Sequence, residues 1–126
     1  AQIDPYDMGL RAHEIMENTL EFELTGRADY GSGTNIATAL ANLDGSRAVM
    51  TVLHPLLETR MPNLSEVDAW FDRTATALHA AARPDGGWTP VTQLDHTVRQ
   101  RINAAVSELT ELLAPVATIT SPRRTS

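Results

Sequence analysis

The chain has 126 residues, 42% apolar and 21% charged, proportions of one ordinary globular domain rather than a disordered or fibrous chain. Its net charge is -6 with a pI near 5.0, lysine and cysteine are absent, and all 10 basic residues are arginine. This excludes a disulfide framework, a thiolate zinc site and the Schiff-base and P-loop chemistries that need lysine. It also argues against nucleic-acid binding, which needs clustered cations to neutralise phosphates. Uninterrupted apolar runs are only a few residues long, so no membrane-spanning helix is expected.

Four helical segments follow in chain order. The first covers residues 6–24, with Asp4 or Asp7 as a cap and Pro5 near its start. At about 100° per residue, Met8, Ala12, Ile15, Met16, Thr19 and Phe22 share one apolar stripe. Residues 25–33, with three glycines among polar side chains, end it. That stretch is long for a bundle turn and is a candidate for functional structure. The second segment covers residues 35–58, with Ile36, Leu40, Leu43, Met50 and Leu57 on one face. Gly45 weakens it and Pro55 should kink it, and it could break at either point. The third opens at Ser65, with Asp68 in a capping-box-like position, and carries Val67, Trp70, Phe71, Leu78 and Ala81 before the turn at Pro84-Asp85-Gly86-Gly87. The fourth starts at Asp95, with Leu94 as a possible staple. Its Val98, Ile102, Val106, Leu109 and Leu113 recur at spacings of three and four until Pro115. Helices of this length and stripe width predict an all-α, antiparallel four-helix bundle over residues 1–120, with a flexible tail over 121–126.

The chemistry-bearing positions are few. His13 and Glu17 lie four apart on one helix face, and Glu21 extends the row by another turn, so the three are candidate ligands for a divalent ion. A solvated His–Glu pair explains the same spacing. The paired-histidine motif H-E-x-x-H is absent, because Glu17 stands where the second histidine would be. Glu23 falls within the first stripe, and Arg47 and His54 on the apolar face of the second. Buried charges persist only when paired, so a Glu23–Arg47 contact is expected, or else Glu23 lies beyond the core-facing part of its helix. Asn42, Asp44 and Gly45 interrupt a strong helix. Close helix approach at Gly45, with Asn42 bonded to a neighbouring backbone, would compensate; ligand contact is the alternative. Trp70, Phe71 and Trp88 are expected to anchor the core and a loop. No nucleophile motif occurs.

The run Gly9-Leu10-Arg11-Ala12-His13-Glu14-Ile15-Met16-Glu17-Asn18, continued by Glu23-Leu24-Thr25-Gly26, Ala41-Asn42-Leu43-Asp44-Gly45-Ser46-Arg47 and Pro55-Leu56-Leu57, resembles the C-terminal half of an imelysin-like domain of the EfeO/EfeM type. Residues 94–115 resemble the ending of that domain. The resemblance implies half of a two-bundle domain from a bacterial iron-uptake component outside the cytoplasm, in the periplasm or cell envelope. It further implies a non-enzymatic role, iron (ferrous or ferric) or another divalent transition metal as the bound ion, and a lipoprotein setting. Its partners would be a preceding N-terminal half or a second copy, with an iron permease and a peroxidase of the same system. The family hallmark G-x-H-x-x-E is expected in that preceding half, since no H-x-x-E occurs here. A half-domain of this kind should carry an apolar junction face covered by its partner. The chain would then be a fragment of a longer secreted protein or one piece of a nicked one.

Overall fold

The computed structural model describes residues 5–25 and 34–120. Four helices are present: α1 (Pro5–Asn18), α2 (Thr34–Leu57), α3 (Leu64–His79) and α4 (His96–Thr120). A π-helical turn, Thr19–Glu23, prolongs α1, and a 3₁₀ turn, Val91–Gln93, precedes α4. Each helix packs on its chain neighbour and α1 also packs along α4, so the four close into a ring around one core. The expected all-α architecture is met. Hydrogen bonds between elements give the directions: Ser46 and Asn42 on α2 meet Ala12 and Thr19, while Thr74 on α3 meets Ala105 on α4 and Arg60, ahead of α3, meets Ile119 near the end of α4. Both pairs are antiparallel. The expected tail, residues 121–126, lies outside the described residues, as does Asp4.

The core joins Ala12 and Met16 of α1 to Ile36, Leu43, Met50 and Leu57 of α2, Val67, Phe71 and Leu78 of α3, and Ile102, Val106, Leu109 and Leu113 of α4. Spacings of three and four put these on the inward face of each helix, where removing apolar surface from water supplies the main stabilisation. Phe71 is the largest fully buried side chain. Trp70 and Trp88 are only partly buried at its edge, and Trp88 lies 5.6 Å from the His79 ring.

Several local expectations are revised. The second segment does not break: α2 runs unbroken through Gly45 and contains Pro55 within its last turn. Likewise α4 continues past Pro115 to Thr120, because Val116 and the Thr120 side chain are still buried there. In both helices core packing outweighs the lost backbone donor. The cap of α3 is Asn63, not Ser65, and it makes no side-chain capping bond; Leu64 enters the core, and the cap lies two residues earlier than expected. At α4 the expectation holds: the Asp95 carboxylate accepts from the Thr97 N–H at 3.1 Å, satisfying one orphan donor of the first turn. The Pro84–Gly87 turn closes with the Gly86 N–H donating to Arg83, and Gly86 takes φ 88°, the left-handed region that favours glycine. Contrary to the reading from apolar runs, α4 is long and apolar enough by length and composition to cross a membrane. Ile102, Val106, Leu109, Leu113 and Val116 of this helix are core residues, while Val98, Leu112 and Ile119 are only partly buried.

Among the described residues, no broad apolar junction face of the expected kind is exposed. Of these residues, Tyr6 and Val52 are the large apolar side chains left exposed.

Candidate functional site

The outer edge of α1 brings His13 and Glu17 together as their spacing predicts, with His13 Nε2 at 3.3 Å from Glu17 Oε2. The His13 side chain is 21% exposed and that of Glu17 55%, so the pair is open to solvent and to a partner surface. An imidazole nitrogen and a carboxylate oxygen suit a first-row transition ion, but two donors are half of a coordination shell. Glu21 follows on the π turn, and its side chain lies outside the described residues. Among the described residues, no three His, Asp or Glu side chains are grouped closely enough to hold a metal ion.

Next to this edge runs a polar seam between α1 and α2 that the sequence did not announce as such. Ser46, fully buried, donates to the Ala12 carbonyl at 2.9 Å. Asn42 donates to Thr19 Oγ1 at 3.0 Å, and Thr19 in turn donates to the Ile15 carbonyl at 2.8 Å. Asn35 donates to Glu23 Oε2 at 2.7 Å, a charge-assisted bond. Thr19 lies where the π turn begins, and the Leu24 N–H reaches back to its carbonyl at 3.1 Å. Such widened turns often mark functional positions in helices. Asn35 is 3% exposed, and its Oδ1 has no hydrogen-bond partner among the described residues. The signal that could have revealed the seam was the pair of asparagines at 35 and 42, two helical turns apart in a segment where asparagine costs stability.

Three expected contacts are corrected by this geometry. Glu23 does not meet Arg47; it is engaged by Asn35, while Arg47 reaches Asp72 on α3 at 2.7 Å and lies over the Phe71 ring at 5.5 Å. His54 is exposed rather than on the buried face. Both differences have one cause. Ala39, Ser46 and Leu53 belong to the inward face of α2, which turns its centre by about 40° from the stripe drawn through Ile36, Leu40, Leu43, Met50 and Leu57, at about 100° per residue. Arg47 and His54 are thereby left at the rim. Gly45 also differs from expectation, since a Cβ there would meet nothing within 4 Å. The close approach of the helices is made by Ser46 instead, and Asn42 bonds a side chain rather than a backbone group. Most of the expected functional loop, residues 26–33, lies outside the described residues.

No protein-family model matches the chain. Similarity to curated proteins is found instead. The iron uptake system component EfeO of Yersinia pseudotuberculosis serotype I (strain IP32953) is 29% identical over 101 residues, 79% of this chain and 27% of the relative. The component of the same name from Escherichia coli (strain K12) gives the same identity and coverage. The chain thus spans about a quarter of the length of the curated relatives it matches, 27% in both cases.

Proposed function

We propose that this chain is part of an iron-uptake protein of the EfeO kind, acting as a metal-binding module rather than an enzyme. The observation that carries the reading is similarity over 79% of the chain to the iron uptake system component EfeO. On this reading the bundle is the C-terminal portion of an imelysin-like domain, works outside the cytoplasm in the periplasm or cell envelope, and belongs to a lipoprotein. The principal metal motif resides in a preceding half. His13 and Glu17 add an imidazole and a carboxylate from the α1 edge, and Glu21 a third donor. A site split between two bundles accounts for a pair of donors that is accessible and incomplete on its own. Iron is the cargo, and the rest of the same uptake system, a permease and a peroxidase, supplies the partners.

On this reading, isothermal titration of the parent protein that carries both halves with ferrous and ferric iron, beside its H13A and E17A variants, tests the local part. Each variant should weaken binding by about tenfold or more, since each removes one of few donors. Unchanged affinity in both variants removes the pair as ligands.

One observation favours a second reading, an interaction bundle with no ligand site of its own: no group of three metal-binding side chains exists among the described residues. Crystals soaked in iron, zinc or copper separate the two. Anomalous density beside His13 supports the metal module, and its absence at all three metals supports the interaction bundle.

A further inference from the structure

The two donors of the α1 edge, His13 Nε2 and Glu17 Oε2, stand 3.3 Å apart. Ligands about 2.1 Å from one transition ion, at angles of about 90–109° to each other, lie about 3.0–3.4 Å apart. The pair therefore already has the bite that an ion requires, provided that Glu17 follows His13 by one true α turn. A departure from that geometry lies close by, because α1 gives way after Asn18 to the π turn Thr19–Glu23. A widened turn puts five residues where an α turn has four. Moved one turn towards the N-terminus, it would bring Asn18 rather than Glu17 into line with His13.

Two residues of α2 hold the segment in between. The fully buried Ser46 hydroxyl donates at 2.9 Å to the Ala12 carbonyl, part of the peptide group that leads into His13. The Asn42 amide donates to Thr19 Oγ1 at 3.0 Å. That hydroxyl donates in turn to the carbonyl of Ile15, midway between the two donors, at 2.8 Å. Ala12 and Thr19 are seven residues apart, whereas Asn42 and Ser46 are only four apart. The spans match because a helix carbonyl points towards the C-terminus and a side chain leans back towards the N-terminus, so about one turn of α2 reaches both. Asn42 meets α1 at the residue where the widened turn begins, since the Thr19 carbonyl accepts from the Leu24 N–H at 3.1 Å.

We propose that Asn42 and Ser46 are positioning residues for the α1-edge metal pair. They fix the register of residues 12–19, keep the widened turn beyond Glu17, and so preform the His13–Glu17 bite. The inference rests on the reading of the chain as a metal-binding module, and it adds two residues that touch no metal. A bite held in place beforehand spares the ion the ordering of its ligands. Loss of such supporting contacts typically weakens metal binding by about 10–100-fold. A seam that served the bundle alone would show in global stability and leave affinity at the α1 edge unchanged.

Two measurements on N42A, S46A and the double variant test this, beside D95A, which weakens the cap of α4 and changes neither α1 nor α2. The first is hydrogen exchange of the metal-free chain. Exchange of the Met16 and Glu17 amides, relative to that of Phe71 on α3, should rise at least about tenfold in the double variant and stay constant in D95A. The second is isothermal titration of the parent protein that carries both halves with ferrous iron under anaerobic conditions. Affinity should fall about tenfold or more in the double variant and hold in D95A. If the double variant does not fold, N42A, at a half-buried position, carries both readouts. Unchanged affinity there, with H13A and E17A weakened, overturns the positioning role and leaves the metal pair standing. Unchanged affinity in H13A and E17A as well removes both. An unchanged exchange ratio, or an equal loss of affinity in D95A, also overturns the proposal.

Discussion

Replacing Gly45 by alanine should stabilise the chain. Gly45 lies in the interior of α2 with ordinary helical backbone, its position is exposed, and an added Cβ meets nothing within 4 Å. The folded state therefore gains no clash, while the unfolded chain loses conformational freedom it would otherwise regain. Together with the intrinsic preference of alanine for helix, this is worth about 0.5–1 kcal/mol. For a domain of this size that corresponds to a rise in Tm of about 2–4 °C. Urea denaturation followed by far-ultraviolet circular dichroism reads the effect directly, and m should stay constant because the surface exposed on unfolding does not change. The neighbouring position supplies the contrast. Ser46 is fully buried against Ala12, so Ser46→Leu should force α1 and α2 apart and cost about 1–3 kcal/mol. Adjacent residues thus have opposite signs because a step of about 100° takes the helix from an exposed position to a buried one. A loss of stability in Gly45→Ala would refute the reasoning, since it would mean that another segment packs where the structure leaves open space.

Two further outcomes test the core and the entry to α4. Phe71→Ala removes the largest fully buried side chain and should cost about 3–5 kcal/mol, a large share of the stability of a domain this size, measured as a fall in the urea midpoint. Asp95→Ala removes the acceptor of the Thr97 N–H and should cost about 0.5–2 kcal/mol, with hydrogen exchange accelerated first in the opening turn of α4.

Much of the core was legible from periodicity. Val67, Phe71 and Leu78 on α3, and Ile102, Val106, Leu109 and Leu113 on α4, are buried where spacings of three and four put them. The cap at Asp95 was legible for a local reason, since the bond spans two residues. Helix ends at proline were not, because proline weakens a helix by a fixed local amount while Leu57 beyond Pro55 and Val116 beyond Pro115 gain burial. On α2 the stripe through Ile36, Leu40, Leu43, Met50 and Leu57 passed over Leu53 as well as Ala39 and Ser46, and so misplaced the buried face. Ala39 and Ser46 are small, so a reading weighted by side-chain size passes over the positions where helices come closest.

The candidate site divides along the same line. The His13–Glu17 pair is set by one turn of helix, so the chain's own order brings its two donors to 3.3 Å. The partners of Glu23, Arg47 and Asn42 lie on other elements, and nothing in their local sequence selects among them. Composition and apolar period by themselves determined an all-helical bundle and the faces of α3 and α4, because burial of an apolar stripe depends only on angular order along one helix. Packing decided the rest: the rotation of α2 and the polar seam with α1. Both depend on the rotation and register of two helices at once, and those are settled only when whole surfaces interlock.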